Sequence, residues 1–214
     1  MERGEAVAAF VLAGGRSSRM GSDKALELFA GRPLIAHALS VLAEVAAGPR
    51  IAGVRSMLAG FAEEIPDTFA DAGPLGGVHA GLGASPAEWN IFLPVDVPLM
   101  PASLLRCLVE RAMLTEAPVT VAKLNGRMEP FPVVLRRLVL RQIAELIARR
   151  ETACHAAWQS IPRALGVELD AVAVENLVQC GRCAHPLGLP PVVWFQSANT
   201  PGELALLQRY AGFA

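Results

Sequence analysis

AVAAFVLAGGRSSRMGSDK, residues 6–24, decides how this chain folds. The apolar run from Ala6 to Leu12 is too short to span a membrane and has the unbroken hydrophobicity of a strand buried on both faces, as in a parallel sheet. A turn must follow. Gly14 and Gly15 lack the side chains that would hold a ligand away, so backbone N–H groups there can approach phosphate oxygens. Arg16, Arg19 and Lys24 add three cations, and Ser17 and Ser18 add hydroxyl donors. The stretch reads as a strand followed by an anion-binding loop. It is neither GxxxxGK[ST], because no Ser or Thr follows Lys24, nor the dinucleotide GxGxxG.

Working outward, the 214 residues suit one well-buried α/β domain better than two. Hydrophobic residues make up 53% and charged residues 18%, which favours a core over disorder. A formal charge of −1 gives no general attraction to nucleic acid or to an anionic membrane, so phosphate recognition must be local. The first residues carry two acids and no cleavage-site pattern, and no apolar stretch is long enough for a transmembrane helix. The expected location is the cytoplasm. Cys107, Cys154, Cys180 and Cys183 are too few for a disulfide framework in a domain of this size.

Periodicity predicts a turn at Gly31-Arg32-Pro33, a helix over 34–46, a strand over 50–57 and a short helix over 58–64. Beyond these come a strand over 89–95, a helix over 101–114, a strand over 118–123 and an amphipathic helix over 138–150. Ile161–Leu165, Val167–Leu169 and Val192–Phe195 read as short strands. Thr200, Pro201 and Glu203 form a capping box that opens a last helix to about Tyr210. The alternation of strand and helix is that of a helix-covered, mostly parallel sheet.

Three stretches carry further chemistry. Asp67 and Asp71 precede Gly73-Pro74-Leu75-Gly76-Gly77, read as a loop leading into a helix in which His79 is structural. The plain alternative for both acids is a solvated loop. Asp96, in Val95-Asp96-Val97-Pro98, follows a buried strand, where open α/β sheets place ligands; otherwise it is a helix cap. Asn125-Gly126-Arg127-Met128-Glu129-Pro130 precedes the apolar run Val133–Leu135 and can equally be a turn made by Gly126 and Pro130.

Taken together, LAGGRSSRMGxDK, GPLGG, the D-x-P at Asp96, the G-x-x-EP at Gly126 and the closing NTPGEL resemble the molybdenum cofactor guanylyltransferases, nucleotidyltransferases with a Rossmann-like fold. The resemblance covers roughly 6–135 and 192–210. It implies a single three-layer α/β nucleotidyltransferase domain over 1–214, with a nucleotide-binding half over 1–100 and an acceptor-binding half over 101–214. The implied reaction is transfer of GMP from GTP to the terminal phosphate of molybdopterin, with release of pyrophosphate and with Mg²⁺ as cofactor.

By the same resemblance, Leu12, Ala13, Gly14, Gly15 and Lys24 bind the nucleotide, and Asp71, Gly73, Pro74 and Leu75 lie beside it. One carboxylate can accept both N1–H and N2–H of guanine, yet whether Asp71 meets base, ribose or metal stays open. Arg19, Lys24 and Asp96 are the implied catalytic residues, Asp96 being the metal ligand. Arg127, Glu129 and Asn199 fall on the acceptor side, while Ser197 stands where the family has another asparagine. GTP and molybdopterin are the expected partners, with molybdoenzymes or their chaperones for delivery and neither nucleic acid nor membrane. A cytidylyltransferase for molybdopterin or another phosphate acceptor, and a non-catalytic GTP-binding adaptor, are the alternatives. Segment 151–193 departs from the pattern; Cys154, His155, Cys180, Cys183 and His185 are element types of a zinc site, the alternatives being a redox pair and free thiols.

Overall fold

A computed structural model describes residues 7–13, 23–53 and 57–212. Strand β1 (Val7–Leu12) is followed by a 3₁₀ turn at Lys24–Leu26, the hairpin strands β2 (Leu28–Phe29) and β3 (Arg32–Pro33), and helix α1 (Leu34–Ala43). Next come β4 (Arg50–Ala52), β5 (Glu64–Ile65), α2 (Gly73–Ala84), β6 (Trp89–Pro94) and α3 (Ala102–Thr115). The hairpin β7 (Val119–Leu124) and β8 (Arg127–Arg136) leads through a 3₁₀ turn to α4 (Leu140–Ala148) and α5 (Cys154–Ala164). The chain closes with β9 (Asp170–Ala173), α6 (Val174–Gln179), α7 (Pro191–Trp194) and α8 (Pro201–Tyr210).

Seven strands form one sheet in the order β5-β4-β1-β6-β8-β7-β9. β8 runs antiparallel to both neighbours, and the remaining pairings are parallel. The expected α/β architecture with a mostly parallel sheet is the one found. Alternation along the central strands divides the core between the two faces. Val7, Ala9 and Val11 of β1 join Ile91 and Leu93 of β6 and the inner faces of α1 and α3. Phe10 and Leu12 join Phe92 and the inner faces of α2, α4 and α5 on the opposite side. A strand covered twice has no polar face to show, which is why residues 7–12 read as one apolar run.

Several local expectations are corrected. Residues 58–64 form turns that enter β5 rather than a helix, and Leu58 is buried there. Gly73-Pro74-Leu75-Gly76-Gly77 is the first turn of α2, not a loop before it. The reason is packing: a Cβ on Gly77 would lie 3.2 Å from Leu12 and 3.5 Å from Ala52, so the missing side chain lets the helix settle against β1 and β4. Pro74 suits the first helical turn, where no intrahelical N–H bond is lost.

Arg127–Pro132 is strand rather than turn; the chain reverses at Asn125 and Gly126, both with positive φ, and β8 starts immediately. Ile161–Leu165 closes α5 instead of forming a strand, because Cys154, Ala157, Trp158 and Ile161 recur at helical spacing on one buried face. Val167–Leu169 also precedes the strand, which is Asp170–Ala173. Val192–Phe195 is likewise not a strand: Pro191 opens the short helix α7, and Trp194 is held by its Nε1–H donating to the Leu189 carbonyl at 2.8 Å.

Candidate active site

The parallel strands β1 and β6 end side by side, with Val95 N–H donating to the Leu12 carbonyl at 3.2 Å. Their C-terminal ends therefore present Ala13 and Asp96 at one edge of the sheet, the position where open α/β sheets take ligands. Lys24 arrives from the 3₁₀ turn whose N-cap is Asp23, a carboxylate accepting from Ala25 N–H at 3.1 Å. Its Nζ donates to Asp96 Oδ2 at 2.6 Å, and the two side chains are 16% and 20% exposed. The same ammonium donates to Asn199 Oδ1 at 2.6 Å.

Asn199 owes its place to two backbone anchors. Ala198 N–H donates to the Asp96 carbonyl at 2.8 Å, tying the C-terminal segment to the end of β6. Glu203 accepts from Asn199 N–H at 2.9 Å, and Thr200 Oγ1 accepts from Glu203 N–H at 3.2 Å. The capping box is present in altered form: the glutamate reaches the residue before the N-cap. Glu203 was legible in the sequence as a cap; its hold on Asn199 was not.

α2 presents its N-terminus beside this edge. Gly73 and Pro74 are exposed, Leu75 is fully buried, and no side chain caps the first turn. Its leading N–H groups and the positive end of the helix dipole suit an anion. Asp71 stands just before it, exposed and in the left-handed backbone region.

On the other flank, Val133 of β8 pairs with Phe92, so residues 127–130 continue past the end of β6 toward the edge that carries Asp96. Arg127 is exposed; Glu129 is half-buried, and desolvation raises its carboxyl pKa. α5 braces this flank: Trp158 Nε1–H donates to the Pro130 carbonyl at 2.8 Å and its ring meets Phe131 edge-on.

The structure thus joins Lys24, Asp96 and Asn199 by direct contact and sets Leu12, Ala13, Asp71, Gly73, Pro74, Arg127 and Glu129 around the same end of the sheet. Gly14, Gly15, Arg16, Ser17, Ser18 and Arg19 lie outside the described residues. The zinc reading of segment 151–193 is overturned. Cys154 packs in the core on the α2 side of the sheet and Cys183 in the core on the α3 side. Among the described residues, no group of three or more His, Cys, Asp or Glu is arranged to hold a metal ion. All four cysteines are free thiols. The ring of His79, read as structural, meets Phe69 edge-on. Among the described residues, no helix is long and apolar enough to cross a membrane.

Asp96 by itself fits a hard divalent cation shared with a nucleotide, since such ions are commonly held by one or two carboxylates plus substrate phosphates. Its oxygen already carries a cation in this structure, the Lys24 ammonium.

Known proteins resemble this chain in sequence and in fold. A molybdenum cofactor guanylyltransferase of Vibrio cholerae is 32% identical over 187 residues, covering 82% of this chain and 91% of that protein. Another, of Acidovorax sp. strain JS42, is 38% identical over 217 residues, covering 94% and 95%. In fold, the chain is similar to molybdopterin-guanine dinucleotide biosynthesis protein A of Archaeoglobus fulgidus, with a TM-score of 0.76, 18% identity and coverage of 96% and 98%. The MobA-like NTP transferase domain matches residues 9–164, and with the strand-end carboxylate, the paired lysine and the helix N-terminus in place, this chain belongs to that nucleotidyltransferase family.

Proposed function

We propose that this protein transfers GMP from GTP to the terminal phosphate of molybdopterin and releases pyrophosphate. The observation that carries the reading is the contact of Lys24 with Asp96 where β1 and β6 end. A lone cation would suit any anion and a lone carboxylate many ligands. The pair offers one group for phosphate oxygens and one for the metal that accompanies them.

The acceptor phosphate is already anionic, so no general base is required. An acceptor oxygen attacks the α-phosphorus, the bond to the bridging oxygen breaks, and the electron pair leaves with pyrophosphate. What the chain contributes is alignment and neutralisation. Lys24 holds phosphate oxygens, and Arg19 joins it. The first turn of α2 directs N–H groups at the nucleotide, and Asp71 accepts from the guanine edge. Arg127, Glu129 and Asn199 line the acceptor side. Asp96 would hold Mg²⁺, which when bound offsets charge on the triphosphate. The chain works as one domain, with its nucleotide half in the first hundred residues, in the cytoplasm, and molybdoenzymes or their chaperones receive the product.

The decisive measurement is pyrophosphate release from GTP with Mg²⁺, with and without molybdopterin. Release should require the acceptor and should fall by at least about 10²-fold in Lys24→Ala and Asp96→Ala, the loss typical of removing a group that stabilises transition-state charge. Equal turnover with CTP, or near-normal turnover in either variant, would overturn the assignment.

A further inference from the structure

Strand β8 is interrupted where it approaches the candidate site. Its ladder with β6 ends at Phe92 and Val133, and its ladder with β7 jumps from Val121 with Val133 to Lys123 with Met128, so residues 129–132 stand opposite Ala122 alone. Pro130 and Pro132 have no N–H to give a ladder, and the Pro130 carbonyl is taken instead by Trp158 Nε1–H at 2.8 Å. Bulges of this kind re-aim side chains beside active sites. Glu129 and Asp96 each lie four residues beyond the pair of Phe92 and Val133, which brings the bulge to the same edge of the sheet as Asp96.

Glu129 is the residue of this bulge whose polar atoms the fold does not use. Met128, Pro130 and Phe131 around it are half-buried like Glu129 itself, and among the described residues its carboxylate has no hydrogen-bond or ion-pair partner. Desolvation is what raises its pKa. A half-desolvated carboxylate among apolar neighbours is costly until donors meet its oxygens. A flat ring with two adjacent N–H donors answers both features, since its faces suit the apolar neighbours and its edge suits the carboxylate. Molybdopterin carries such a ring: the N3–H and 2-amino groups of a pterin are adjacent, as N1–H and N2–H are in guanine.

We infer that Glu129 reads the pterin ring of the acceptor, its carboxylate accepting from N3–H and from the 2-amino group together. This rests on the proposed transfer to molybdopterin and adds how the acceptor's ring is told from others. A ring with oxygen in place of the 2-amino group sets one acceptor against another and is rejected. The site then uses one carboxylate on each flank, Asp71 beside α2 for guanine and Glu129 on β8 for the pterin, because the two rings present the same pair of donors.

Fluorescence titration of the full chain with pterin and with lumazine, the same ring with oxygen in place of the 2-amino group, tests this without metal or turnover. It is run with and without saturating GTP. The wild-type protein should bind pterin at least about tenfold more tightly than lumazine, the difference expected when a charged acceptor loses one of two hydrogen bonds. Glu129→Gln should lose that preference and lean toward lumazine, because its amide oxygen accepts from N3–H while its amide N–H donates to the new ring oxygen. Damage to the fold weakens both rings and reverses nothing. A wild type that binds the two rings alike, or Glu129→Gln that keeps the preference for pterin, overturns the inference and leaves the transfer reading in place. Displacement of pterin by GTP does the same, since the ring then occupies the guanine position. Failure of the wild type to bind pterin at all overturns the acceptor reading itself, and the role of Glu129 with it.

Discussion

Lys24 and Asn199 stand 175 positions apart in the chain and meet at 2.6 Å. Lys24 opens the 3₁₀ turn before β2, and Asn199 precedes the N-cap of the last helix, so this contact closes the candidate site with residues from both ends of the chain. The matched family domain stops at residue 164, which places Asn199 in the C-terminal segment beyond it. That segment contributes to the site through the main-chain bond from Ala198 to Asp96.

The cap of α8 is thus both a stability feature and a site support. Thr200→Ala removes the side chain that accepts from Glu203 N–H. A loss of about 1 kcal/mol is expected, read as a fall of roughly 2–4 °C in Tm by calorimetry, while Thr200→Ser should retain most of it.

Two glycines of α2 should respond in opposite directions. A Cβ on Gly81 would sit 2.7 Å from Phe92 and 3.1 Å from Phe10, whose rings stack at 5.0 Å. Gly81→Ala should destabilise by about 1–3 kcal/mol, the usual range for overpacking a filled core. Gly83 has nothing within 4 Å of that position, so Gly83→Ala should stabilise by about 0.5 kcal/mol through helix propensity. Urea unfolding of the two variants provides the comparison.

Glu129 should make stability depend on pH. Desolvation raises its carboxyl pKa in the folded protein, so the native state holds this proton more tightly than the unfolded chain does. Stability therefore falls as pH rises from the ordinary glutamate range through the raised value. Glu129→Gln removes that dependence. In urea unfolding it should match wild type most closely near pH 4 and exceed it by a wider margin at pH 7.5.

Thiol reactivity should separate one cysteine from three. Burial pushes the Cys154 thiol up to about 12, raises Cys107 and Cys183 as well, and leaves Cys180 exposed. At pH 8 a thiol of that pKa is thiolate only about once in 10⁴ molecules. An aromatic disulfide reagent should show one fast phase under native conditions, and Cys180→Ala should abolish it.

Local chemistry explains why much of this was readable in advance. Val7–Leu12 and Trp89–Pro94 are apolar on every residue or nearly so because both faces of each strand are covered. Asp96 follows the second strand directly, so a buried strand and a carboxylate after it sufficed to put that residue at the ligand edge. Thr200, Pro201 and Glu203 mark a helix start because the capping interaction lies within four residues. Where a residue's conformation depends on its immediate neighbours, the amino-acid order was enough.

What it left undetermined depended on distant partners. GPLGG becomes a helical turn because Gly77 can lie against Leu12 and Ala52, and neither contact leaves a local trace. Val192–Phe195 has the composition of a strand and folds as a helix whose Trp194 bonds back to Leu189. The cysteines and histidines of segment 151–193 resemble a metal set until the sheet separates Cys154 from Cys183. The amino-acid order alone was enough for the first strand and for a carboxylate at the end of β6. That Lys24 reaches Asp96 and Asn199 at once was set by long-range packing, because a side chain's partner is chosen by whatever the fold brings within hydrogen-bonding distance.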